Sequence, residues 1–315
     1  AGREEMKKDE ESTINENNTN NILSKELLFE TVKRMMNNYV WDDYWLIDSR
    51  SKLRDFIENL GKLNEKYNGS NALEALIEVI NALADYVEGM RRYWIRNGLA
   101  HEIKELIEKI KSGGINVRIT RSSIVVRKRH VTLRITKPGE NHAFRLEFRG
   151  VEGMEINTSQ LMQLVSDAVR IWLQVGLHRA DGINRKGYLG MRTAFLWQLV
   201  LWLILFPAKR VYVRIEGVDL DIDGVKIIWK VETNDYNAKL ILTRRPVAIE
   251  DFLIAFFAAI LGDGSITIAK SKGKEYPEMY LSGSKTKIRW WLKVLKSLNL
   301  PRSITWHEYL SLIHI

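Results

Sequence analysis

One aspartate, Asp263, stands out as a residue that could do chemistry. It lies in a Gly-Asp-Gly-Ser sequence, directly after an apolar run over residues 252–261 that favours a helix buried on most faces. We expect a helix over 248–262 to end at these glycines, so that Asp263 stands at its tip. Ala258 and Gly262 are small and share one face of this helix, where another helix could approach closely. A twin of Asp263 from a second copy would place two carboxylates at the seam, and carboxylates suit a divalent metal ion.

The sequence FFAAILGDGSI, residues 256–266, resembles the signature of the LAGLIDADG homing endonucleases in its LLGDGS variant. In that family the motif helix forms the interface between two αββαββα halves, and the last acidic residue binds the catalytic divalent metal. The resemblance implies that Asp263 is catalytic, that Gly262 and Asp263 belong to a Mg²⁺ site, and that Ala258 and Gly262 lie at the helix interface. It also implies a mobile-element protein that cuts double-stranded DNA by phosphodiester hydrolysis.

The elements predicted after the motif follow the family's order. A strand over 276–284, a helix over 285–298 and strands within 303–315 would give an incomplete αββαβ half-domain. The resemblance then implies a homodimer through the helix over 248–262, in which Asp263 and its symmetry-related partner hold Mg²⁺. The residues expected to contact phosphates are Lys270, Lys272, Lys274 and Lys285, and those expected to face bases are Tyr280 and Ser282.

Departures from the family pattern leave a second hypothesis open, a protein that binds DNA without cutting it. Leu261 stands two residues before Asp263, where a polar or acidic residue is common in the family. Leu281 stands where some members carry a glutamine, and the family's basic active-site residue would come after Ile315.

The composition favours a polyanionic partner. The 315 residues carry a net charge of +9, are 45% hydrophobic and include no cysteine. The charge balance points to nucleic acid, and the lack of cysteine excludes disulfides and thiolate metal sites. No secretory sequence opens the chain, so we expect a cytoplasmic protein, associated with the nucleoid if it binds DNA.

Residues 115–150 hold much of the excess charge, with nine lysines or arginines and two glutamates. Alternation of period two predicts four antiparallel strands here. Their polar face could lie along a phosphate backbone, through Arg118, Arg127, Arg129 and Arg134. This face supports a third hypothesis, a catalytically inactive adaptor that binds RNA on a ribonucleoprotein; a solvated outer face is the alternative.

The whole chain is predicted to be α+β. We expect a disordered tail over 1–25, an α-helical region over 26–112, a β-rich α+β domain over 113–246 and the LAGLIDADG-like half-domain over 247–315. Within the third region we expect a helix from residue 157 to 177, a loop over 178–186, an apolar helix over 191–206 and a hairpin over 209–233. The helix over 191–206 is too short to span a bilayer, so no membrane role is expected.

Overall fold

The computed structural model is an α+β protein, as the sequence predicts. It describes residues 43–112, 118–119, 123–127, 130–136, 144–185, 188–221, 224–236, 238–271, 274–298, 305–307 and 312–314. The predicted tail over 1–25 and the start of the predicted α-helical region lie outside these residues. None of the described helices is both long and apolar enough to cross a membrane.

The described residues fall into two compact units. Of the described residues, one unit holds 43–44 with those within 94–150 and 217–226, and the other holds those within 45–93, 151–216 and 227–315. Each unit is assembled from separated stretches of the chain. The division of the sequence after residues 25, 112 and 246 stays a prediction.

Three helices come first: α1 (Tyr44–Lys66), α2 (Asn71–Arg96) and α3 (Leu99–Lys111). A turn joins the first two helices, with Gly69 at a φ of +76°. The chain breaks at Gly98, whose φ of +58° is a left-handed conformation that glycine adopts at little cost.

The predicted four-stranded antiparallel sheet is confirmed in the first unit. Its strands are β1 (Arg118–Ile119), β2 (Ser123–Arg127), β3 (Val131–Thr136) and β4 (Phe144–Phe148), paired in chain order. Beyond β4 the sheet continues with residues 217–220. The buried side chains of one face are Val126, Val131, Leu133 and Leu146.

The second unit contains most of the remaining elements. They begin with β5 (Met154–Ile156), a 3₁₀ helix (Ser159–Leu164), α4 (Asp167–Asp181), β6 (Gly182–Arg185), β7 (Tyr188–Thr193), α5 (Leu196–Leu205), β8 (Val211–Asp221), β9 (Gly224–Thr233) and α6 (Ala238–Thr243). Residues 217–226, at the β8–β9 turn, belong to the first unit. The strands β9, β7 and β6 lie side by side in that order, and β5 pairs with the start of β8.

Three expectations for this stretch are wrong. The loop predicted over 178–186 is instead the last turn of α4 followed by β6. The helix predicted from residue 157 begins only at Asp167, after the 3₁₀ helix. The helix predicted over 191–206 begins at Leu196, because residues before it extend β7 and the Oγ1 of Thr193 accepts a hydrogen bond from the Phe195 N–H.

The last elements agree with the sequence prediction. They are α7 (Ile249–Asp263), β10 (Gly264–Ser271), β11 (Lys274–Ser282), α8 (Lys285–Ser297), β12 (Thr305–His307) and β13 (Leu312–His314), and the strands pair in the order β10-β11-β13-β12. Apolar side chains of α7 and α8 form the core between them. Phe252 and Phe256 stack, and Trp291 meets both rings edge-on.

The order helix-strand-strand-helix occurs twice. We call α4-β6-β7-α5 the first copy and α7-β10-β11-α8 the second copy. In each copy the seventh residue of the second helix is a fully buried tryptophan, Trp202 or Trp291.

Candidate active site

The helix α7 presents Asp263 as its last residue. Glu250 and Asp251 favour its first turn through the helix dipole, and an apolar body with six buried residues fixes it in the core. The backbone leaves the helix at Gly264 and enters β10 at once. Asp263 is therefore held at a junction between a helix and a strand.

The first copy presents Asp181 in the same way. It is the last residue of α4, and Gly182 begins β6. The two helices share a spacing of small residues before the acid: Gly176 and Ala180 precede Asp181, as Ala258 and Gly262 precede Asp263.

The two helices α4 and α7 pack closely through these small residues. A Cβ on Gly176 would overlap the carbonyl oxygen of Ala255 and lie 2.9 Å from the Cβ of Ala258. A Cβ on Gly262 would lie 2.5 Å from the Cβ of Ala180 and 2.7 Å from Asp181 Oδ2. Equivalent residues of the two copies thus meet, as they do across an approximate two-fold axis.

The expected homodimer through the helix over 248–262 stays a prediction. The face of α7 that carries Ala258 and Gly262 is covered by α4 of the same chain. A second molecule could reach that face only by displacing α4. The partner carboxylate for Asp263 comes from Asp181, within the chain.

The carboxyl groups of Asp181 and Asp263 lie close enough to affect each other electrostatically. Burial first, and then the neighbouring Asp263 carboxyl, raise the pKa of Asp181 to about 6, against the opposing effect of Lys287.

Each second helix adds a donor from its third residue. Gln198 of α5 donates to Asp181 Oδ2 at 3.2 Å and to the carbonyl oxygen of Leu261 at 3.4 Å. Lys287 of α8 lies 3.3 Å from Asp263 Oδ2 and donates to the carbonyl oxygen of Ala180. Each side chain therefore bonds the aspartate of its own copy and the last turn of the other copy's helix.

Two further polar residues, His178 and Arg179, lie in the last turn of α4 before Asp181. His178 is 4% exposed, and its ring nitrogens have no hydrogen-bond partner within the described structure. Burial, with the charges of Arg179 and Lys287, lowers the pKa of His178 to about 4. The guanidinium of Arg179 stacks 3.6 Å above the ring of Trp290, and burial lowers the pKa of Arg179 to about 10.

The residues predicted to contact DNA divide between two faces of the β10–β11 hairpin. Ser282 is exposed and donates to the carbonyl oxygen of Asp263 at 2.6 Å, and Tyr280 lies on the same face. The register places Lys270 on the other face, paired with Glu275 at 2.7 Å. Lys272 and the side chains of Lys274 and Lys285 lie outside the described residues.

The structure describes the side chains of only some of the arginines predicted on the polar face of the sheet within residues 115–150, here called the basic sheet. Arg127 is exposed at the end of β2. Arg134 pairs with Glu147 at 3.3 Å, and Arg145 of the same face forms a two-point pair with Asp219. Arg129 and the side chain of Arg118 lie outside the described residues. The described part of this face thus carries acidic partners for two of its arginines.

The sequence interpretation missed Asp181, Gln198 and Lys287 as site residues. His178 and Arg179 interrupt the apolar run before Asp181, so the helix of the first copy lacks the continuous apolar pattern of the second. The signal that finds it is the spacing small-x-x-x-small-Asp-Gly, which occurs in both copies.

The pair of carboxylates is suited in its chemistry to a divalent cation. Carboxylate oxygens are preferred ligands of Mg²⁺. The ammonium of Lys287 already lies beside Asp263, where a metal cation would also be attracted. No group of three or more His, Cys, Asp or Glu side chains that could hold a metal occurs within the described residues.

Comparison with protein-family models finds none that matches this chain, and no curated protein matches it either.

Proposed function

We propose that this protein binds duplex DNA and cuts it by divalent-metal-dependent phosphodiester hydrolysis, with Asp181 and Asp263 at its centre. The observation that carries the proposal is the meeting of these two carboxylates at the ends of two closely packed helices. Asp181 comes from the first copy of the helix-strand-strand-helix unit and Asp263 from the second. The site therefore has an approximate two-fold symmetry, as a DNA duplex does.

The proposed metal is Mg²⁺, held by the carboxylates of Asp181 and Asp263. When bound, it would activate water and stabilise the leaving oxygen. The packing of α4 on α7 fixes the distance between the two helix ends before DNA binds. Ser282 holds the backbone of Asp263 in place through its hydroxyl.

Lys287 supplies a basic group at the pair of carboxylates. Its ammonium lies beside Asp263, where it can neutralise charge on a phosphate. Gln198 fixes the orientation of the Asp181 carboxylate.

We further propose that the chain is related to the LAGLIDADG homing endonucleases and holds both halves of the active site itself. The motif in the second copy and the matching spacing in the first copy support this relation. A second molecule is not needed to complete the site. Such a protein would work in the cytoplasm, on the nucleoid.

DNA contacts would come from the hairpin face with Tyr280 and Ser282 and from the predicted phosphate ligands Lys270, Lys272, Lys274 and Lys285. The net charge of +9 supports binding to a polyanion. Such binding would weaken steeply as salt rises.

The test is cleavage of a duplex library with a randomised insert, with Mg²⁺ or with a chelator, followed by sequencing of the new ends. We expect the wild type to produce new DNA ends with Mg²⁺ but not with the chelator. Asp181→Asn and Asp263→Asn should produce no new ends, although both should still bind the duplex. Cutting that persists in either variant would remove that aspartate from the mechanism.

A second candidate is nucleic-acid binding without cleavage, as an adaptor on a ribonucleoprotein. The exposed Arg127 at the end of the basic sheet and the ion pair between Lys287 and Asp263 favour it. Tighter binding of structured RNA than of duplex DNA, with no cutting in Mg²⁺ or Mn²⁺, would select this function.

A further inference from the structure

Two aromatic residues at the start of α5, Phe195 and Trp197, are open to solvent, and we call them the aromatic pair. Phe195 is 55% exposed and Trp197 is 47% exposed. Their ring centroids lie 6.3 Å apart and the ring planes are tilted by 35°, so the two rings form one apolar surface. Large aromatic side chains that are exposed side by side are typical of a binding surface.

The repeated unit does not require aromatic side chains at these positions. Most of α5 is buried, with Trp202 in the core, whereas the aromatic pair projects from the core. Phe195 is the N-cap of α5 and Trp197 is its second residue. The N-cap and the second residue of α8 are Ser284 and Thr286, which are exposed and hydrophilic. Packing within the fold therefore does not explain the aromatic pair.

Hydrogen bonds connect the aromatic pair to the pair of carboxylates. The N–H of Phe195 donates to Thr193 Oγ1 at 2.9 Å, and the hydroxyl of Thr193 donates to Gln198 Oε1. Gln198 directly follows Trp197 in the chain and donates to Asp181 Oδ2 at 3.2 Å. One turn of the chain therefore positions both the exposed rings and a carboxylate of the site. A DNA backbone that reaches this carboxylate passes close to the rings.

The chemistry of the aromatic pair suits the flat face of a nucleobase. Every base has a π face that can stack on an aromatic side chain, whatever the sequence. In a paired duplex the neighbouring bases cover these faces, and only base edges are open in the grooves. The rings can therefore stack only on a base that has left the duplex stack. The net charge of +9 favours this polyanionic partner over an apolar segment of another protein.

We infer that Phe195 and Trp197 hold an unstacked base of the bound DNA beside the carboxylates, and that the protein therefore binds a locally opened duplex more tightly than a fully paired one. Opening a duplex costs free energy, and stacking of the released base on the two rings offsets this cost. The inference rests on the DNA binding of the proposed function, because that binding brings a base to the start of α5.

The test compares the affinity of the full chain for two duplexes of equal length, with Ca²⁺ in place of Mg²⁺. One duplex is fully paired, and the other carries a short central bubble of mismatched bases. We expect the wild type to bind the bubble duplex at least about 10-fold more tightly, because stacking of one base on an aromatic side chain contributes about that factor. The double variant Phe195→Ser/Trp197→Thr should bind both duplexes equally.

The second copy supplies the matched substitutions, since it carries Ser284 and Thr286 at the equivalent positions. Both substituted positions are exposed, so the double variant should keep a melting temperature close to that of the wild type. Trp197→Phe retains an aromatic ring and should keep most of the preference for the bubble duplex. Tyr67→Ser is the control, because Tyr67 is exposed directly after α1, and it should leave the preference unchanged.

Equal affinity of the wild type for the two duplexes, or a preference that persists in the double variant, would overturn the inference. The proposed nuclease would then remain in place, and the aromatic pair would be open to a protein partner. Absence of cutting in Mg²⁺ or Mn²⁺, with the preference for the bubble duplex retained, would overturn cleavage alone. Binding of neither duplex would overturn both the proposed function and the inference.

Discussion

The first and second copies end in the same way but support their aspartates differently. Asp181 is held by a buried amide, Gln198, and Asp263 by a partly exposed ammonium, Lys287. The shared parts are those that packing requires: the small residues of the motif helices and the buried Trp202 and Trp291. The parts that differ are polar side chains at the helix ends, where packing allows variation. The fold thus fixes the positions of the aspartates, and single residues set the charge beside each of them.

The seam between the copies offers the largest expected effect. Gly176→Ala places a methyl group against the carbonyl oxygen of Ala255, so we expect a loss of about 3 kcal/mol in unfolding free energy. Gly89→Ala in α2 is the control, because a Cβ there meets nothing within 4 Å and should stabilise by about 0.5–1 kcal/mol. Urea unfolding measures both. Equal effects would show that the helices are not closely packed.

A second difference between the copies is His178, which occupies the position of Ile260. Its pKa is lowered to about 4, so the folded state excludes a proton that the unfolded state binds below pH 6.5. Stability should be complete above pH 6.5 and fall by up to about 3 kcal/mol as the pH drops to 4. His178→Ile should remove this part of the pH dependence in urea titrations from pH 4 to 7. An unchanged pH profile in the variant would contradict it.

Asp181 should make the metal-free protein less stable as the pH rises. Its pKa is raised to about 6, so the folded state keeps a proton that the unfolded state releases near pH 3.8. The resulting stability is present below pH 3.8 and lost as the pH passes 6. At pH 7.5, without metal, Asp181→Asn should therefore be more stable than the wild type by about 2 kcal/mol. Thermal unfolding with a chelator measures this, and a less stable variant would refute it.

The smallest expected effect concerns the hairpin of the second copy. Lys270 and Glu275 form an exposed pair, so Lys270→Gln should change unfolding free energy by less than about 0.5 kcal/mol. If Lys270 contacts a phosphate, the variant should lower the salt slope of duplex binding by about one. Glu275→Gln is the control, and it should not lower the slope. An unaltered slope in Lys270→Gln would remove this residue from the DNA surface.

Much of the second copy could be predicted from the sequence, because its apolar run and following strands are regular. The helix with Asp263 at its end, the hairpin and the helix from Lys285 all occur where the sequence placed them. The first copy could not be predicted in this way, because its helix includes the charged Arg179. The guanidinium of Arg179 stacks on Trp290, a residue over a hundred positions away. The pairing of Gln198 and Lys287 with the aspartates likewise depends on tertiary packing. A local sequence pattern does not reveal contacts between residues that are distant in the chain.

The central claim is that Asp181 and Asp263 act together as one divalent-cation site. The most direct measurement is the rise in melting temperature that Mg²⁺ causes at pH 7.5 in the wild type, in Asp181→Asn, in Asp263→Asn and in the double variant. We predict a rise in the wild type that each single substitution abolishes, with no further loss in the double variant. Independent losses that add in the double variant, or no rise in the wild type, would contradict the account.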